Sequence, residues 1–245
     1  MARQLSANEV INRTAISVGL GSIPNAVGSN RDDGVQLTEL LNVAGQELVE
    51  LQPWEVLQGT ITINTAADDT GAYPLPSDYC YMIDRSGWDH TNSIPVYGPL
   101  SPQDQAYLEG RDLITDSIYS AFYLKGGQLN LFPQPPASGL NLQFKYVKRN
   151  WLQEQNDGPY RDEIGSGTDV VLYEPIMIVN YLKVKWLEAK GLDSSSARME
   201  FELMFMSRQG KDEGARVLSA SGAGRGMPYI TPLRNTADSW PGLVG

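Results

Sequence analysis

The apolar positions near the N-terminus follow the period of an amphipathic helix. Ser6 and Glu9 have the S-x-x-E spacing of a capping box, in which each side chain satisfies a backbone donor of the same turn. Gly19 and Gly21 mark the end of this predicted helix. Its apolar side consists of Val10, Ile11, Ala15 and Val18.

A second and clearer helix is predicted to begin at an N-cap provided by Asp32 or Asp33 and to end before Pro53. Its apolar residues recur at the i, i+3, i+4 and i+7 positions of one helix face. They are Leu37, Leu40, Leu41, Ala44, Leu48 and Leu51. A helix with a single apolar stripe belongs in a bundle.

The period changes to two after Gly59, which predicts β-structure. Residues 117–124 and 128–132 alternate and are joined by Lys125-Gly126-Gly127, a strong hairpin signal. A short helix is predicted from Pro102 to about residue 109. One face of a further strand is marked by Leu140, Leu142, Phe144 and Tyr146.

Helical periodicity returns near the C-terminus. Pro175 begins a predicted helix that Gly191 ends as a left-handed cap, and Ser194 is the predicted cap of a final helix. The stripe of the first helix is Ile178, Leu182, Trp186 and Ala189. The inward residues of the second are Ala197, Phe201, Met204 and Phe205.

This order of elements predicts an α+β fold in which an antiparallel helical bundle carries an inserted β-rich domain. The expected parts are N-terminal helices in residues 1–57, the β-rich domain in 58–152 and C-terminal helices in 153–219. Residues 220–245 are the predicted fourth part, an extended C-terminal arm.

The arm contains glycine and proline throughout, together with spaced large apolar residues that a free disordered tail would lack. These residues suit an arm that lies in a groove on another subunit, and packing along its own subunit is the open alternative. The anchors are Met227, Tyr229, Ile230, Leu233 and Trp240.

The composition argues against a nucleic-acid-wrapping protein and against a membrane span. The 245-residue chain has a formal charge of −10, whereas phosphate neutralisation needs clustered lysine and arginine. No signal-peptide pattern or run of about 20 apolar residues occurs, so we expect a soluble protein made in a cytoplasm. Cys80, the only cysteine, is expected to be a small buried residue in a strand.

No catalytic, cofactor or metal site is predicted. His90 follows Asp89, but no activated nucleophile accompanies the pair, which is interpreted as a turn with Asp89 accepting backbone hydrogen bonds. The G-x-G-x-G string at 222–226 follows a helix and not a strand, so it is not a dinucleotide loop. The acidic clusters lack the order of a calcium loop.

The tryptophans divide into two predicted groups. Trp54, Trp88, Trp151 and Trp240 lie at or near the ends of elements, a placement typical of interfaces. Trp186 lies on a helix stripe and is predicted to be in the core, a role that also suits Trp88.

The middle of the chain carries a resemblance to a known family. The strings LPSDY (75–79), SGWD (86–89) and PVYGPLSPQDQAYLEG (95–110) resemble the head-to-tail adaptor proteins of short-tailed and some long-tailed bacteriophages. The resemblance implies a non-enzymatic virion protein, made in the host bacterial cytoplasm, that forms a ring of twelve copies. It implies the portal and tail, nozzle and possibly fibre proteins as partners, with genomic DNA passing through the lumen without sequence-specific binding.

The resemblance also implies that the arm docks on the portal. The rigid middle loops are expected to contact a neighbouring subunit or the next tail protein through Trp88, Tyr97, Pro99 and Leu100. Two alternatives from other classes stay open: a tail-associated carbohydrate- or receptor-binding module, and a virion glycan hydrolase.

Overall fold

The protein has an α+β fold in a computed structural model that describes residues 4–110 and 120–212. The α-helices of these residues are α1 (Ala7–Ser17), α2 (Asp32–Leu51), α3 (Pro102–Gly110), α4 (Pro175–Ala189) and α5 (Ser195–Asp212). The first six strands are β1 (Leu5–Ser6), β2 (Gln58–Asn64), β3 (Ala72–Pro74), β4 (Tyr79–Met82), β5 (Trp88–Asp89) and β6 (Ile94–Pro95). The others are β7 (Ala121–Lys125), β8 (Gln128–Phe132), β9 (Asn141–Lys148), β10 (Leu152–Gln153), β11 (Tyr160–Arg161) and β12 (Val170–Val171).

The chain divides into two compact units. Within the described residues, the first unit comprises 4–59, 77–81 and 146–212, and the second comprises 60–76, 82–110 and 120–145. The first unit holds α1, α2, α4 and α5, and α4 packs against each of the other three. The second unit holds α3 and the β7–β8 hairpin.

The capping box predicted for α1 is confirmed. The Ser6 hydroxyl accepts a hydrogen bond from the Glu9 backbone N–H at 3.3 Å, and the Glu9 carboxylate accepts one from the Ser6 N–H at 2.9 Å. Val10, Ile11 and Ala15 are fully buried, as their spacing predicts. This reciprocal bonding satisfies two of the orphan donors at the start of the helix.

Two details of the predicted second helix are wrong. Its N-cap is Arg31, without a side-chain cap bond, and both aspartates lie inside the first turn. There their charges still face the positive end of the helix dipole. Leu51, predicted in the apolar stripe, is 53% exposed because it is the last helical residue. Val49 is buried instead.

The cap predicted for α4 is confirmed, and so is the position of the cap predicted for α5, because Ser194 directly precedes the helix and its carbonyl accepts a hydrogen bond from the Arg198 N–H at 2.8 Å. Gly191 has φ +68°, and the Leu192 N–H bonds the Leu187 carbonyl at 2.9 Å, which completes a Schellman motif. At α5, the Ser194 hydroxyl donates to Glu188, and the Asp193 carboxylate accepts from the Ser195 N–H at 3.0 Å. Aspartate can take this role because its short side chain reaches the backbone two residues ahead.

The strands of the described residues form three sheets, whose orders are β1–β12–β10–β11, β2–β9–β5–β6 with β4 also paired to β9, and β3–β8–β7. The predicted hairpin is confirmed as β7–β8: Lys125 pairs with Gln128, and both Gly126 and Gly127 have positive φ. The described part of its first strand begins at Ala121. The strand predicted around Leu142 is β9, which joins a different sheet from the hairpin.

Two of the tryptophans that were predicted at interfaces from their position in the sequence are buried in the core. Trp54 and Trp151 are each almost completely buried in the first unit. Their indole N–H groups donate to the carbonyls of Leu48 at 2.6 Å and Asp162 at 2.8 Å. The interface prediction is therefore wrong for Trp151, and the Trp54 ring likewise packs within its own unit, because both rings fill space between elements that are distant in sequence. The core prediction for Trp186 is confirmed.

Candidate interaction surfaces

The loop at residues 95–101 of the second unit is held in place by backbone hydrogen bonds, most of them to strand β7 and the residue before it. The Phe122 N–H donates to the Tyr97 carbonyl at 2.8 Å, and the Leu100 N–H donates to the Phe122 carbonyl at 2.9 Å. The Tyr97 N–H bonds the Ser120 carbonyl at 3.1 Å, and the Val96 N–H bonds that of Gly87 at 3.0 Å. These bonds hold an irregular segment in one conformation without regular secondary structure.

Gly98 allows the backbone of this loop to lie close to the Phe122 carbonyl. Its φ is +145°, and a Cβ at this position would lie 2.4 Å from the Phe122 carbonyl oxygen. Any L side chain would therefore meet both backbone strain and a steric clash.

The residues predicted as the subunit or tail interface all lie in or beside this loop. Tyr97 and Pro99 are exposed, whereas Leu100 is half-buried. Trp88, also half-buried, lies in β5 opposite Pro95 of β6. The structure thus brings the four residues into one region of the second unit, and their role as an interface stays a prediction.

Helix α5 of the first unit carries an apolar stripe on its solvent side that the sequence analysis missed. Met199, Leu203 and Met206 are 66%, 64% and 65% exposed. Their i, i+4, i+7 spacing places them on one face, and buried Ala197 and Phe201 lie on another. The signal was present in the sequence as a second stripe on the same helix. We call these three residues the α5 stripe.

The first unit also contains a pocket of about 330 Å³, here called the Trp54 pocket. Trp54, Tyr173 and Met177 are nearly inaccessible to solvent and form its apolar floor. The Phe205 ring packs edge-on against Trp54, with centroids 5.6 Å apart. These residues come from three separate stretches of the chain, so their meeting is decided by tertiary packing.

The border of the Trp54 pocket is mainly acidic. Glu55, Glu174 and Asp212 line it, and Arg208 forms an ion pair with Glu174. Val56, which is 46% exposed, adds an apolar edge. A concave apolar floor with a few charged groups at its border is the usual construction of a binding site for a side chain or small molecule.

Tyr173 contributes to this floor as a neutral group. Its hydroxyl donates to the Gly45 carbonyl at 3.0 Å. Burial, followed by the charges of Tyr81 and Cys80, raises the pKa of Tyr173 well above its ordinary value of 10.0. The phenol therefore stays protonated at physiological pH.

The predicted turn at His90 is confirmed. The buried Asp89 carboxylate accepts hydrogen bonds from the backbone N–H groups of Thr91 at 2.8 Å and Asn92 at 3.2 Å, and His90 itself is exposed. Asp89 thus organises the chain reversal.

Cys80 differs from its prediction, because it is half-buried and hydrogen-bonded instead of simply packed. Its thiol donates to the Glu50 carboxylate at 3.1 Å. Burial and then this carboxylate raise the pKa of Cys80 to about 12. A thiol in this environment is a poor nucleophile.

No cluster of three or more His, Cys, Asp or Glu side chains suited to a metal ion occurs in residues 4–110 and 120–212. Over the same residues, no helix is long and apolar enough to cross a lipid bilayer. The five anchors predicted for the arm, Met227 to Trp240, lie outside the described residues.

The described surfaces are an irregular loop hydrogen-bonded to β7, an exposed apolar helix face and a pocket with an apolar floor. The model of the SU10 adaptor protein family matches residues 6–225, and the chain belongs to this family of phage head–tail adaptors. The resemblance found in the middle of the sequence is thereby confirmed. No curated protein matches the chain.

Proposed function

We propose that this protein forms a ring between the portal and the tail of a bacteriophage, where it continues the DNA channel and docks tail components. The match to the SU10 adaptor family over residues 6–225 carries this proposal. The role is structural and not enzymatic. The proposed ring contains twelve copies, the number that the resemblance implies.

In this arrangement, the helices of residues 1–57 and 153–219 form the bundle body, and residues 58–152 form the inserted β-rich domain. The α5 stripe supports lateral packing of bodies, because three large apolar side chains in a row on one helix face are costly to leave in water. Heterologous contacts of this kind close into a ring under cyclic symmetry.

The net charge of −10 supports a channel wall through which DNA slides. An acidic surface repels phosphate and releases no counterions on contact, so it gives DNA no stable place to bind. Partner contacts in the proposal come from the arm, residues 220–245, on the portal, and from the loop around Tyr97 and Pro99 on a neighbour or tail protein.

Negative-stain imaging of the purified protein, alone and mixed with the portal protein encoded near it, tests the proposal. We expect a ring on the portal with the full-length chain and none with a chain truncated before Ala220. If the full-length protein never joins the portal, the adaptor proposal is wrong, and glycan binding and hydrolysis become the functions to assay.

Leu203→Lys tests the lateral contact within the same experiment, with Leu51→Lys as the matched control. Both leucines are more than half exposed, so neither change disturbs the core. We expect Leu203→Lys to prevent closed rings because a charge must then be buried between subunits. Equal assembly of the two variants would remove the α5 stripe from the proposed interface.

A further inference from the structure

The Trp54 pocket has the construction of a binding site, and the proposed function does not use it. Its floor of Trp54, Tyr173 and Met177 is apolar and closely packed, and exposed Val56 at its edge adds accessible apolar surface for a large apolar side chain. Three carboxylates and one arginine at its border give it a formal charge of −2, which favours a basic occupant.

The chain itself contains a segment with matching chemistry, RGMPYITPLR at residues 225–234. Arg225 and Arg234 bracket this segment, which carries a formal charge of +2 in a chain whose net charge is −10. The apolar residues between the arginines are Met227, Tyr229, Ile230 and Leu233. Trp240 matches the pocket less well because its nearest charged neighbour is Asp238.

We propose that residues 225–234 of a second copy of this chain bind in the Trp54 pocket. An apolar side chain of the segment packs on the floor, and the two arginines face Glu55 and Asp212. This proposal narrows the portal contact, assigned above to residues 220–245, to residues 235–245 with Trp240. The proposal rests on the proposed ring, in which every copy offers one pocket and one segment, so that cyclic closure fills every pocket.

The length of the chain permits this exchange between copies. Asp212, the last described residue, lines the pocket, and thirteen steps along the chain separate it from Arg225. At about 3.5 Å per residue these can span roughly 45 Å. That distance exceeds the diameter of a small domain, about 30 Å, so the segment can reach an adjacent subunit.

Photo-crosslinking in the portal-bound assembly tests the proposal directly. Full-length protein with benzoylphenylalanine in place of Tyr229 is assembled from a mixture of unlabelled and ¹⁵N-labelled copies. We expect crosslinks to peptides that contain Trp54 or Met177, with mixed-isotope pairs that prove contact between copies. The same photo-reactive residue in place of Trp240 should leave these peptides unmodified.

Matched variants show whether such crosslinks depend on the pocket. Val56→Lys puts a positive charge at the pocket edge, and Val43→Lys makes the same change at an exposed position on α2 away from it. We expect Val56→Lys to lower the crosslinking yield at least about tenfold, because it repels the arginines of the segment, and Val43→Lys to leave the yield unchanged. Arg225→Glu should also lower the yield, and Glu55→Lys added to it should restore part of the loss.

The results separate this inference from the proposed function. A ring on the portal without crosslinks to the pocket overturns the inference and leaves the adaptor proposal intact. Crosslinks formed only within single copies overturn the assignment to a second copy. Absence of any assembly on the portal overturns the proposed function and, with it, this inference.

Discussion

Gly45 of α2 lies directly against the indole ring of Trp151. A Cβ at position 45 would come within 2.2 Å of Trp151 Cε2. The ring has no room to withdraw, because it is fully buried, stacks on Tyr173 with centroids 6.2 Å apart, and is fixed by its hydrogen bond to the Asp162 carbonyl. The absence of a side chain at one helical position therefore decides how closely Trp151 approaches α2.

Gly45→Ala should destabilise the protein although alanine is the better helix former. Overpacking typically costs about 1–3 kcal/mol, which outweighs the gain of about 1 kcal/mol in helix propensity when the neighbour cannot move. Gly210→Ala in α5 is the control, because a Cβ there meets nothing within 4 Å, and it should raise stability slightly. Urea unfolding of both variants measures the difference, and equal stabilisation by both would contradict the packing argument.

Gly98→Ala should loosen the loop that holds the predicted interface residues. Gly139 also has a positive φ, but a Cβ there meets nothing within 4 Å, so Gly139→Ala reports the backbone strain alone. We expect Gly98→Ala to cost about 1–3 kcal/mol more than Gly139→Ala, since it adds the clash with the Phe122 carbonyl and since its φ of +145° is less accessible to alanine than the +80° of Gly139. Thermal unfolding measures stability, and limited proteolysis should show faster cleavage near Pro99 in the Gly98 variant only.

Glu47 should make stability depend on pH in the acidic range. Its carboxylate accepts a hydrogen bond from Tyr181 and pairs with Lys185 at 2.6 Å. Burial acts to raise the pKa of Glu47, but the hydrogen bonds from Lys185 and Tyr181 bring it below the ordinary value of 4.5. Because the folded-state pKa is the lower one, the stabilisation is complete above pH 4.5 and is lost as pH falls through the folded-state pKa.

Glu47→Gln should therefore reduce stability at pH 7 and flatten its decline between about pH 5 and pH 3. Glu39→Gln changes an exposed residue of the same helix and serves as the control. The free energy of unfolding, measured at several pH values, provides the comparison. Parallel curves for the wild type and Glu47→Gln would show that the cluster does not contribute in this way.

Cys80 should react slowly with alkylating reagents. With a pKa of about 12 in the folded protein, its thiolate fraction at pH 8 lies far below that of an ordinary cysteine. We expect alkylation by iodoacetamide, followed by mass spectrometry, to be at least about a hundredfold slower than in the urea-unfolded chain. Glu50→Gln should accelerate the reaction less than unfolding does, because burial is the larger cause. A native rate equal to the unfolded rate would refute the prediction.

The sequence predictions were most accurate for interactions between residues that lie close together in the sequence. The capping box of Ser6 and Glu9 and the Gly126-Gly127 turn were predicted correctly because they depend on residues within a few positions of each other. The predicted N-cap of α2 was wrong, because Arg31 takes that position without a side-chain bond. At α5 the cap position was correct, but the Asp193 carboxylate accepts the hydrogen bond from the Ser195 N–H.

The sequence by itself determined the helices and the hairpin, whose apolar periods and turn residues are local, and its middle strings predicted the adaptor family. Only the tertiary structure decided that Trp54 and Trp151 are buried, that Leu51 is exposed, and that Trp54, Tyr173 and Met177 share one pocket. Burial depends on which distant segments pack together, and the local pattern of a sequence does not encode that choice. Gly45 illustrates the limit: in the sequence it is an unfavourable helix residue, and in the structure it is the space that the Trp151 ring requires.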